Sequence, residues 1–188
     1  KNPNSFSITI KPSIYETNSF LEDKNSSLIE YSAFYGSIQI FRFLFQNQVD
    51  LTPSLWLYAV HGRNPEIIQI LEDKKITPKD YTYKECYKES IKCHHNDLIY
   101  YIECNYLKEK EEDFFENNVL SFSFRYYNFI YFPTKIRDDF IFNYACMFDY
   151  FKIVEYFIKR KNNNLITTNI ISNNYYCLNN IFYFFFFK

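Results

Sequence analysis

Two stretches of this chain align without a gap: AVHGRNPEIIQILE (59–72) and SIKCHHNDLIYYIE (90–103). Self-similarity at a period of about 30 residues is the mark of an array of small units, not of one continuous core. Each copy reads as a helix, a tight corner and a second helix. Gly62 stands where the first helix should stop, since Gly takes the left-handed conformation at no steric cost. Asn64 is a good N-cap, Pro65 a good first helical residue, and Glu66 puts a negative charge on the positive helix end. Ile67, Ile68 and Leu71 then form one apolar stripe. A lone helix pair cannot bury both of its faces. Stacked pairs can, and that is the logic of a solenoid.

Further copies fit the same frame. ACMFDYFKIVEYFI (145–158) places Ala145 at the small site, Ile153-Val154 at the double apolar site and Phe157 at the Leu site. AFYGSIQIFRFLF (33–45) fits with one residue missing after Gly36, and SFRYYN (123–128) is a weaker copy. The small sites are therefore Ala33, Ala59, Ser90, Ser123 and Ala145, and closely packed helices explain why only Ala or Ser stands there. The expected units lie near 26–51, 52–79, 80–110, 114–135 and 138–161. Pro133 follows the apolar run FIYF so closely that the fourth unit should lack most of its second helix. Residues 1–25 read as an extension or the remnant of an upstream unit, with an alternating piece SFSITI (5–10). Residues 162–188 read as an Asn-rich cap ending in a Phe-rich tail.

TPSLWLYAVHGRNPEIIQIL (52–71) and SLIEYSAFYGSIQIFRFLFQNQVD (27–50) resemble the ankyrin repeat. The Phe/Tyr/Asn-rich style is similar to the irregular ankyrin type abundant in anaerobic parasitic protists. The resemblance covers about residues 26–160 and is densest in the first two units. It implies an all-α solenoid of stacked antiparallel helix pairs and a non-catalytic scaffold for a protein partner. In that frame the last two residues of each first helix face the concave groove: Phe34 and Tyr35, Val60 and His61, Ile91 and Lys92. Trp56 takes the family's corner His position and is expected in the packing. Gly is lost in three units, which weakens the case for regular finger loops.

Composition bounds the alternatives. The net charge of −1 over 188 residues provides no field for nucleic acid or an acidic membrane. The aromatic share of 22% is high, and Phe, Tyr, Ile, Lys and Asn all have AT-rich codons, so codon bias accounts for it better than a stacking platform. Five cysteines without paired spacing point to a reducing, cytoplasmic setting, where the sequon Asn25-Ser26-Ser27 goes unused. No signal peptide or membrane span is readable, and FYFFFFK (182–188) is too short to cross a bilayer. That tail and the first residue Lys1 also fit a truncated gene fragment without independent function.

The two glycines cannot build a phosphate-binding loop, so no nucleotide cofactor is expected. Cys86, Cys93, His94, His95 and Cys104 gather in one unit, and a zinc-binding module around Cys93, His94, His95 and Cys104 is the alternative function. Structural zinc prefers ligands in close pairs, and no CxxC or HxxxH is present. The reading without metal has small buried thiols and surface imidazoles. A Cys93–His94 dyad is disfavoured because neighbours on a corner point apart, so no catalytic residue is expected. KEKEED (108–113) reads as a solvated charge run, and KRK (159–161) as cations at a helix C-terminus. The chain is expected to show a helical circular-dichroism spectrum without added metal or cofactor. A predominantly β spectrum would remove the helix-pair reading.

Overall fold

In the computed structural model, residues 6–11, 13–22, 24–79, 82–107, 112–131 and 138–162 are described, without the side chains of 112–117, 131 and 160–162. The chain forms two compact units, one ending at Glu109 and the other starting at Lys110. The described residues are mostly helical. Their one sheet is a pair of two-residue strands, β1 (Thr9–Ile10) and β2 (Ser26–Ser27), antiparallel with Thr9 opposite Ser27. The Phe-rich tail and most of the Asn-rich cap expected from the sequence lie outside the described residues. No described helix is long and apolar enough to cross a membrane.

The first unit holds α1 (Leu28–Phe34), α2 (Ile38–Gln46), α3 (Leu55–Gly62), α4 (Pro65–Asp73), α5 (Lys84–Lys92) and α6 (Asn96–Tyr106). Consecutive helices form pairs, and α3 packs between α1 and α5 while α2 packs on α4. The helices start where local chemistry favours it. Ser27 caps α1 in a reciprocal capping box with Glu30. Asn64 Oδ1 accepts from the N–H groups of Glu66 and Ile67, Pro65 opens α4, and Asn64 Nδ2 reaches across to Gly36 O at 3.0 Å. One side chain thus caps its own helix and ties it to the preceding corner.

The corners repeat a backbone conformation. Gly36, Arg63, His94, Tyr127 and Asp149 all have φ between 49° and 61°, the left-handed region. In four of them the following N–H returns to the carbonyl five residues earlier: Ser37 to Ser32, His95 to Ser90, Asn128 to Ser123 and Tyr150 to Ala145, at 2.8–3.0 Å. This is the Schellman closure of a helix end. At the remaining corner Arg63 N–H bonds Ala59 O at 2.9 Å.

Two expectations change. Gly62 is not the left-handed residue; Arg63 is, and Gly62 is the last residue of α3. Gly62 is needed for a different reason. A Cβ there would collide with Ala33 O and stand 2.8 Å from Gly36 N, both backbone atoms of the preceding pair. A Cβ on Gly36 would in turn meet Gly62 O at 2.7 Å. The register of the first copy also shifts. Gly36 corresponds to Arg63, and the same interval separates the left-handed Gln48 from Lys75, so no residue is missing after Gly36. Ser32, not Ala33, is the counterpart of Ala59 and Ser90. Its hydroxyl is buried yet satisfied, donating to Ile29 O at 2.7 Å as Ser90 donates to Cys86 O at 2.7 Å. The adjacent Ala33 is also fully buried, because it lies at the contact with Gly62.

The apolar stripes are buried: Phe41 and Leu44 from α2, Ile67 and Leu71 from α4, Ile99 and Ile102 from α6. Trp56 is 1% exposed, donates from Nε1 to Ile76 O at 2.6 Å and packs edge-on against Tyr83, so it belongs to the packing.

The second unit holds α7 (Glu112–Tyr126), a 3₁₀ turn (Phe129–Tyr131), α8 (Asp138–Met147) and α9 (Phe151–Asn162). Leu120, Phe124, Phe142, Ala145, Val154 and Phe157 form its core. Tyr150 OH donates to Phe124 O at 2.6 Å. Only the 3₁₀ turn follows α7 among the described residues before Asp138, where the other copies have a full second helix. KRK closes α9, where Lys159 pairs with Glu155 at 2.8 Å.

Gly62→Ala should lower stability by about 1–3 kcal/mol, the cost of overpacking against atoms that cannot move aside. Urea unfolding of the variant beside the parent measures this. An unchanged midpoint would mean that α1 and α3 do not approach so closely.

Candidate functional site

The most polar partly buried cluster of the first unit lies where α3 faces α5. The last turn of α3 delivers His61, while α5 delivers Glu89 and, one turn later, Cys93 at its C-cap. A four-residue spacing puts Glu89 and Cys93 on one helix face. His61 Nε2 is 3.0 Å from Glu89 Oε1, and His61 Nδ1 is 3.4 Å from Cys93 Sγ. A carboxylate only accepts, so Nε2 carries the proton, and Nδ1 is left to accept from the thiol. Lys92 Nζ donates to the same Glu89 oxygen at 2.8 Å.

Aromatic rings enclose this chain of hydrogen bonds. The Phe20 ring lies 4.1 Å from the His61 ring and Phe34 lies 4.8 Å from it, centroid to centroid. Lys24 Nζ rests 3.1 Å above the Phe20 ring, a cation–π contact. Burial lowers the Lys24 pKa, with Glu89 opposing. Burial also resists ionisation of Glu89, but hydrogen bonds from His61 and Lys92 outweigh it and hold the carboxyl down to about 2. The Cys93 thiol is pushed up to about 11, by burial first and then by the Glu89 charge.

These electrostatics bear on chemistry. Thiol, imidazole and carboxylate in series is the order used by nucleophilic cysteines, but those need a depressed thiol pKa. Here burial and the Glu89 charge push the thiol the other way, and the hydrogen bonds link α3 to α5. Cys86, buried on the same helix, is pushed up to about 12 by desolvation.

The residues anticipated from sequence divide into two groups. Tyr35 is 58% exposed, the Lys92 side chain is 34% exposed, and the His61 side chain only 10%. Phe34, Val60 and Ile91 are buried and offer a partner no side-chain surface, because neighbouring helices and Phe20 cover them. Phe20 was not anticipated. It comes from the turn before β2, and nothing local in the sequence marks it as the cover of Phe34, Tyr58 and His61.

The four residues of the zinc alternative are not gathered together. Cys93 joins His61 and Glu89. His94 is the left-handed corner residue, His95 Nδ1 donates to Val60 O at 2.9 Å, and Cys104 is exposed on α6. Burial lowers the His95 pKa, which favours the neutral ring. The sequence signal that could have found the real cluster is the Glu89-x-x-x-Cys93 spacing, but its third member lies 28 residues from Glu89.

A second polar knot ties α4 to α6. Glu72 Oε1 accepts from Tyr101 OH at 2.5 Å and from Tyr106 OH, while Tyr106 stacks on Tyr83 at 3.9 Å. Burial pushes the Tyr83 hydroxyl up to about 12.

The depressed Glu89 pKa makes a signed prediction. Its contribution to stability is complete above the ordinary value of 4.5 and disappears as pH falls toward about 2. Thermal melts over that range should show the parent losing stability faster than Glu89→Gln. Parallel curves would mean the carboxylate is not held by His61 and Lys92. No protein-family model, no curated protein and no solved structure matches this chain.

Proposed function

We propose that the chain is an ankyrin-like repeat scaffold that binds a protein partner in a cytoplasmic setting and carries no catalytic centre of its own. One observation supports this above the others: a helix pair closed by a left-handed corner over a small buried residue recurs along the chain. In the first unit successive pairs pack α1, α3 and α5 side by side. Such a stack orders its surface in advance, so a partner docks with little conformational cost on this side. The described cysteines are free thiols, which fits a reducing environment.

The members of the anticipated groove with accessible side chains are the exposed Tyr35 and, at the edge of the polar tie, the half-buried Lys92. Tyr is an amphipathic anchor well suited to recognition. Arg42–Glu66 and Arg63–Asp97 bridge neighbouring pairs on the surface, where exposed ion pairs stabilise by ~0–1 kcal/mol each and leave the charges available.

The test is affinity capture from the source cells with the parent chain and with Tyr35→Ala combined with Lys92→Glu. The expected outcome is a protein retained by the parent and lost from the double variant, both with the same helical spectrum. Equal retention by both would move the binding surface elsewhere. No specific protein retained by the parent would count against a scaffold.

A further inference from the structure

We infer that His61, Glu89 and Cys93 form a binding site for a divalent transition-metal ion of the zinc type. Among the described residues these three are the group whose donor atoms all lie within 4.8 Å of one another. Imidazole, thiolate and carboxylate are the ligand classes that zinc and cobalt accept together.

Coordination by one ion requires the three donor atoms to draw together from within their present 4.8 Å. Zn–N of about 2.05 Å, Zn–O of about the same and Zn–S of about 2.3 Å, at tetrahedral angles, place N and S about 3.6 Å apart and N and O about 3.3 Å apart. The observed separations are 3.4 Å from Nδ1 to Cys93 Sγ and 3.0 Å from Nε2 to Glu89 Oε1, one partner on each ring nitrogen, while one donor atom from each of the three residues lies within 4.8 Å of the other two. One ion can take only one ring nitrogen. Loading therefore exchanges the present hydrogen bonds for coordination bonds, with a turn of the side chains.

The backbone already supplies much of the preorganisation. Glu89 and Cys93 project from successive turns of α5, and α3 holds His61 against them. His61 and Glu89 are each about a tenth exposed, so the donors keep an edge open to solvent. On binding, Cys93 gives up its thiol proton to solvent and the sulfur becomes a thiolate ligand; no redox change is involved. Lys92, which now bonds Glu89, is the competing cation that the ion displaces. The site is distinct from the four residues anticipated from sequence and shares only Cys93 with them. Because its ligands come from α3 and α5, the ion would clamp two neighbouring helix pairs together.

The experiment titrates the full chain with Co²⁺ and follows thiolate-to-cobalt charge-transfer absorption and the melting midpoint. One equivalent should produce the absorption and raise the midpoint. Cys93→Ser and His61→Gln should abolish both, while Cys104→Ser should leave them intact. Alkylation of the unmutated chain supplies a check that needs no variant: Zn²⁺ should protect Cys93 from iodoacetamide and leave Cys104 reactive, as read by peptide mass. Absence of absorption from folded protein, absorption that survives Cys93→Ser, or equal alkylation with and without Zn²⁺ would each overturn the site. None of these outcomes depends on a protein partner.

Discussion

The backbone contact between α1 and α3 sets the terms for the first unit. Gly62 ends α3 against Ala33 O and Gly36 N, and each glycine leaves room that a methyl group would fill. That approach brings Ala33 and Ala59 into full burial and lets Asn64 reach Gly36 O. A wider spacing would open voids along the whole layer, because close-packed interiors tolerate no gap of a methyl group without cost. The small residues are thus a condition of the stack.

Given that spacing, polar groups between pairs must be satisfied within the protein. His61 answers Glu89, His95 answers Val60 O, and Glu72 collects two tyrosine hydroxyls from the next pair. Each bond links residues at least 28 positions apart. Unpaired buried polar groups cost about 1–3 kcal/mol each, so these links select one alignment of neighbouring pairs over others. The tie through His61 differs from the rest in its donor set. It combines groups that can exchange a proton for a metal ion, and it is lined by the Phe20 and Phe34 rings. The proposed scaffold and the proposed metal clamp are compatible at this seam, since a metal would stiffen a contact that α3 and α5 already make.

Legibility from sequence varied with the range of the interaction. The N-cap Asn64, the Pro65 start and the Glu66 charge were readable because capping spans three residues. The buried stripe Ile67, Ile68 and Leu71 was readable from periodicity. Gly62 was noticed but given the wrong reason: its neighbour Arg63 takes the left-handed turn, and Gly62 serves a contact with a different helix. The same local reasoning misplaced the register of the first copy, since Gly36 was matched to Gly62 by residue type and not by conformation. Half of the anticipated groove residues are buried; Val60 and Ile91 lie within the helix packing, and Phe34 lies against Phe20, which arrives from an upstream turn that carries no periodic signal.

From the amino-acid order alone follow the helices, their start signals, their apolar stripes and the recurrence of the pair, because each depends on forces within a few residues. The tertiary structure alone decided which atoms meet between pairs: Gly62 with Ala33, Phe20 over His61, and His61 with Glu89 and Cys93. Those meetings depend on the offset at which one helix packs on the next. That offset is set by the summed packing of many side chains, and no single stretch of sequence carries it.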